Sequence, residues 1–143
     1  TTISSMFMVE GELTIAGGHI DATEMNLEDR ANGLAVYVKT GATLNMTGGT
    51  LYRGACDVNG VQGKRGGNLA VNGLYATVKI TNAEILDGTA SCKETHGGNV
   101  AAFGYGAVDF EIGEGTVITG GKGHRGGNDL FQVFSFLLLI NQL

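Results

Sequence analysis

The sequence predicts an all-β solenoid, a chain wound into about four parallel coils of 31–34 residues around one apolar interior. The first observation behind this is a strand pattern that occurs four times: Leu13-Thr14-Ile15-Ala16-Gly17-Gly18-His19-Ile20, Leu44-Asn45-Met46-Thr47-Gly48-Gly49-Thr50-Leu51, Val78-Lys79-Ile80-Thr81-Asn82-Ala83-Glu84-Ile85 and Phe110-Glu111-Ile112-Gly113-Glu114-Gly115-Thr116-Val117. Successive copies start 31, 34 and 32 residues apart, yet the step from first to last apolar residue is seven in each. A constant interior with a variable exterior is what stacked repeats produce, because each unit packs only on its neighbours. The second is an upstream apolar column, Leu34-Ala35-Val36, Leu69-Ala70-Val71 and Val100-Ala101-Ala102. The third is glycine: 25 of 143 residues, clustered at unit boundaries, with no proline at all. Glycine without a three-residue period marks turns and excludes a collagen-like helix.

Each element follows from local pattern. Leu44 and Met46, Val78 and Ile80, and Phe110 and Ile112 alternate with Asn45, Lys79 and Glu111, which is the period of a half-buried strand. Small residues such as Gly48-Gly49 and Asn82-Ala83 then bend the chain before a second apolar position at Leu51, Ile85 or Val117. Upstream of the shorter column stand Gly66-Gly67-Asn68, Gly97-Gly98-Asn99 and Gly126-Gly127-Asn128, with Ala31-Asn32-Gly33 as a degraded earlier copy. Strands of one kind that recur at this spacing run in the same direction, so the coils stack in parallel. The whole of 1–143 reads as one unit, with no composition break inside it. The apolar stretch 130–143 reads as a terminal cap or a non-native tail, and without a cap the chain is a fragment of a longer solenoid.

Composition removes several function classes. The net charge of −5 argues against a nucleic-acid binder. No membrane span is expected, because the apolar tail is interrupted by Gln132, Ser135, Asn141 and Gln142. No start methionine, basic stretch or apolar run of signal-peptide type is visible in the first residues, so none is expected within this sequence. Cys56 and Cys92 fall in loops of adjacent units, and two cysteines leave a disulfide and a free thiol pair equally open.

The G-G-N and T-G-G-T-type repeats over residues 10 to 131 resemble right-handed parallel β-helix proteins of the pectin-lyase-like architecture, especially repetitive bacterial surface and adhesin-like members. The resemblance implies an extracellular or cell-surface location and asparagine stacks of the kind that Asn68, Asn99 and Asn128 would form. As a guide to function it is broad, because the architecture carries lyases, hydrolases, adhesins and passive stalks alike.

Four candidate constellations emerge. Asn68, Asn99 and Asn128 share one position, where an amide side chain can bond its equivalent on the next coil, and they read as a structural ladder. Arg30, Arg65, His96 and Arg125, with Lys64 and His124 beside them, would stack into a basic column, either a strip for anionic glycans or an edge neutralised by Glu28, Asp29, Glu94 and Asp129. Asp109 and Glu111 project to one side about 6.6 Å apart with Lys79 alongside, the only arrangement here that suggests glycoside hydrolysis or polysaccharide cleavage. Asp21, Glu24, Glu28 and Asp29 carry the charge for a weak calcium site, with a solvated acidic loop as the default, and no other cofactor is expected. His96, His124 and Cys92 lack metal-ligand spacing.

Two functions stay in contention, with a pure spacer as a third option that the sequence leaves open. The first is a structural and interaction segment that touches glycans or host surface proteins through variable loops. It rests on the distances from Gly54, Gly88 and Gly120 to the next glycine pair, 12, 9 and 6 residues, which gather insertions on one edge. The second is a polysaccharide lyase or glycoside hydrolase using Asp109, Glu111 and Lys79.

Overall fold

A computed structural model describes residues 5–23, 35–56, 66–90, 97–104, 108–123, 127–133 and 137–140. Every element among them is a β-strand. The first circuit contributes β1 (Phe7–Val9), β2 (Glu12–Ile15) and β3 (His19–Asp21). The second contributes β4 (Val36–Val38), β5 (Thr43–Met46), β6 (Thr50–Tyr52) and β7 (Ala55–Cys56). The third holds β8 (Leu69–Gly73), β9 (Ala76–Ile80), β10 (Glu84–Leu86) and β11 (Thr89–Ala90). The fourth holds β12 (Val100–Gly104), β13 (Val108–Ile112), β14 (Val117–Thr119) and β15 (Lys122–Gly123), after which β16 (Asp129–Val133) and β17 (Leu137–Ile140) begin a fifth.

These strands form four sheets, ordered β1-β4-β8-β12-β16, β2-β5-β9-β13-β17, β3-β6-β10-β14 and β7-β11-β15. Every pairing is parallel and joins a strand to its counterpart one circuit away. The arrangement is consistent with a β-solenoid of stacked coils about 4.8 Å apart. The tail strands β16 and β17 extend two of the sheets by one strand each.

The main repeated strands stack in the expected register, Leu13 on Leu44, Leu44 on Val78 and Val78 on Phe110. Leu44, Met46, Val78, Ile80 and Phe110 are fully buried and join one core cluster with Leu51, Ile85, Val71 and Val38 among its other members. Leu13 lies on the end coil and is only partly buried. Surface pairing adds little: Glu10 and Lys39 meet at 2.6 Å on adjacent coils, a contact that lowers the carboxyl pKa and raises that of the amine, yet both are exposed.

Two expectations about register are corrected. Ile85 pairs with Ile118, not Val117, because the corner Gly113-Glu114-Gly115-Thr116 is one residue longer than its counterparts. A one-residue shift turns the side chain to the opposite face. Val117 is accordingly 47% exposed, while Ile118 packs on the core. In the upstream column Leu69 pairs with Val36, so the equivalent triplet begins two residues later than Leu34. Strand β1, which pairs Phe7 with Val36, heads this sheet and carries no glycine block that would mark it in the sequence.

Truncation should follow depth in the stack. Leu44→Ala is expected to cost about 2–5 kcal/mol of unfolding free energy, and Leu13→Ala clearly less, because the end coil already leaves Leu13 partly in water. Urea unfolding of the two variants measures the difference.

Candidate binding groove

At the ends of β6, β10 and β14 in the third sheet the chain turns a corner, and the residue at that corner takes a left-handed backbone: Arg53 (φ 54°), Asp87 (φ 55°) and Gly120 (φ 71°). Glycine and aspartate tolerate this conformation well, whereas arginine is unusual there. Each is followed by a glycine, Gly54, Gly88 or Gly121. A Cβ on Gly88 would lie 2.7 Å from Asn99 Oδ1 and collide with the Gly98 carbonyl, so the corner closes only on glycine.

The asparagines sit behind this glycine row. Asn68 donates to Asn99 Oδ1 at 2.8 Å, and Asn99 donates to Asn128 Oδ1 at 3.2 Å. The remaining amide protons go to the carbonyls of Leu86 and Thr119. The side-chain oxygens in turn accept the backbone N–H of Gly54, Gly88 and Gly121 at 2.7, 2.7 and 2.9 Å. Asn68 and Asn99 are fully buried, and the column leaves their amides well satisfied. On the preceding coil the same slot belongs to Ala35, because Val36 pairs with Leu69. The degraded copy Ala31-Asn32-Gly33 lies outside the described residues.

In front of the glycine row an open groove of about 480 Å³ crosses all four coils, lined by Ala22 and Thr23, Arg53 and Ala55, Asp87 and Thr89, and Gly120 and Lys122. One wall stacks Arg53 on Asp87 on Gly120, and the other stacks Ala55 on Thr89 on Lys122. Arg53 carries its guanidinium over the Tyr52 ring, 4.8 Å from the centroid, and His19 packs near the same ring at 5.4 Å. Asp21, at the upper end of this patch, has its pKa lowered, first by the Thr23 hydroxyl, then by the Thr23 backbone N–H, with smaller help from His19 and Arg53.

The groove residues were not singled out by sequence reasoning. A glycine three residues past the second apolar position was the available signal, and the corner insertion displaced it: the true third member after Gly54 and Gly88 is Gly121, not Gly120.

Lys79 and Glu111 are register partners on the outer face of the second sheet, and Asp109 precedes Glu111 on that same face. Lys79 and Asp109 are exposed and Glu111 half-buried, and none of them lines the groove. Among the described residues the ion pairs are His19 with Asp21 and Lys39 with Glu10, so Lys79 and Glu111 do not join as one. The basic column Arg30, Arg65, His96 and Arg125 lies outside the described residues, as do Cys92 and the acids Glu24, Glu28 and Asp29. Among the described residues no cluster of three or more His, Cys, Asp or Glu is placed to hold a metal, and no helix is long and apolar enough to cross a membrane. In comparisons with known proteins, no family model, curated protein or solved structure matches this chain.

Removing the central amide should hurt most. Asn99→Ala strips the Gly88 N–H and the Asn68 amide of their acceptor and is expected to cost about 3 kcal/mol by chemical denaturation, whereas exposed Asn128 should cost less. Thr23→Ala removes the hydroxyl that most lowers the Asp21 pKa, so an NMR titration of Asp21 should shift upward toward the ordinary carboxylate value.

Proposed function

We propose that this chain is a structural and interaction segment of a secreted or cell-surface protein, built as a right-handed parallel β-helix of pectin-lyase-like type, which contacts carbohydrate along the groove from Ala22 to Lys122. One observation carries the reading: a polar groove crosses four coils at the edge where the chain leaves each coil for a segment of variable length. Strands β7, β11 and β15 form that edge, and the stretches that follow them before the next glycine-asparagine block differ in length while the strands stay in register. A rigid frame that holds variable segments beside a concave polar surface is how repeat scaffolds bind extended ligands. The groove offers hydroxyl, carboxylate, amine and guanidinium groups beside a small apolar patch from Ala55, a mixture suited to sugar rings with polar edges and weakly apolar faces.

A glycan array probed with the wild-type chain, alongside immobilised host matrix proteins, tests this. Binding to glycans is expected, with the signal reduced several-fold in an Arg53→Asn, Lys122→Gln double variant. A blank across every glycan and every matrix protein would leave only a spacer role.

A further inference from the structure

We propose that the groove takes a linear acidic polysaccharide in which anionic and uncharged sugars alternate, lying along the coil axis with successive anions against Arg53 and Lys122. This rests on the reading of the groove as a carbohydrate contact and names its ligand class.

Register sets the spacing of the charges. Arg53 belongs to the second coil, Asp87 and Thr89 to the third and Lys122 to the fourth. With coils about 4.8 Å apart, the backbone positions that carry the two cations stand about 9.6 Å from one another along the axis, close to the length of two linked pyranoses. Among the described residues neither cation has a carboxylate partner within 4 Å, where the ion pairs are His19 with Asp21 and Lys39 with Glu10. Arg53 instead rests on the Tyr52 ring, and a stacked guanidinium keeps its in-plane donors free for an anion.

The residue between the cations decides which polyanion fits. Asp87 is the neighbour of Arg53 in the stack, yet its carboxylate lies against Gly120 on the far side, in space that any side chain at that position would occupy. By residue the groove reads positive, negative, positive from the second coil to the fourth, with the Asp87 carboxylate displaced toward the fourth. A chain with an acid on every sugar would set one acid against Asp87, and like charges held together in a site penalise that ligand. A chain with an uncharged sugar at that level would present hydroxyls, which the Asp87 carboxylate accepts and the Thr89 hydroxyl complements.

The test uses the full chain and three oligosaccharide probes in calorimetric titrations: hyaluronan hexasaccharide, which alternates, galacturonate hexamer, which carries an acid on every sugar, and uncharged chitohexaose. Hyaluronan hexasaccharide is expected to bind best, more weakly as salt rises, and Arg53→Asn and Lys122→Gln should each weaken it by at least about fivefold. Asparagine is chosen at 53 because it tolerates the left-handed backbone there. Asp87→Asn, which keeps the corner and removes the charge, should raise affinity for the galacturonate hexamer. If galacturonate binds the wild type more tightly than hyaluronan, the alternation is wrong. If chitohexaose binds as well as hyaluronan and the variants change nothing, the charge pattern is overturned while carbohydrate contact survives. No binding of any probe overturns both.

Discussion

The amide column of Asn68, Asn99 and Asn128 is the interaction on which the rest of this structure depends. Each side chain works in two directions: along the axis it bonds the asparagine of the next coil, and across the coil it accepts the N–H of a corner glycine. Stacking is thereby tied to the closing of each corner. A buried amide without partners would carry a penalty of about 1–3 kcal/mol, so a slip of one coil relative to the next is opposed at every level of the column. Apolar burial alone lacks this directionality, because Leu44, Val78 and Phe110 would tolerate small rotations of one coil on another.

The same column shapes the surface on its other side. Gly54, Gly88 and Gly121 turn their amides inward to the asparagines, and a Cβ on any of them would run into the glycine-asparagine block behind, so their lack of side chains lets the corners close tightly beneath the groove. The groove is thus a consequence of how the coils are held, with its charged residues set one position to either side of the glycine row. Arg53 and Asp87 occupy a left-handed backbone conformation that most side chains avoid. Opposite charges on adjacent coils would ordinarily pair. Here tyrosine takes the guanidinium and the open space above Gly120 takes the carboxylate.

Much of the frame was readable from residue order. The seven-residue step within each repeat placed Leu13, Leu44, Val78 and Phe110 on one line, because inward side chains must recur at a constant place for coils to stack. Two positions defeated that reading for the same reason. At Val117 an extra corner residue moved the inward role to Ile118, and near Leu34 a change in the length of the turn moved it to Val36. Either residue is apolar enough to face inward, so composition offered no way to choose between them. The hydrogen-bonding register made the choice.

Taken alone, the residue order determined that this is an all-β repeat with parallel strands, an apolar interior and asparagine at a recurring corner, because periodicity and the special chemistry of glycine and asparagine are local properties. Only the tertiary structure decided where function can sit. The groove residues Thr23, Arg53, Asp87, Thr89 and Lys122 are separated by about thirty residues from coil to coil and share no motif. They become neighbours because parallel pairing brings equivalent corners within about 4.8 Å of one another, a proximity that exists only once the coils have stacked.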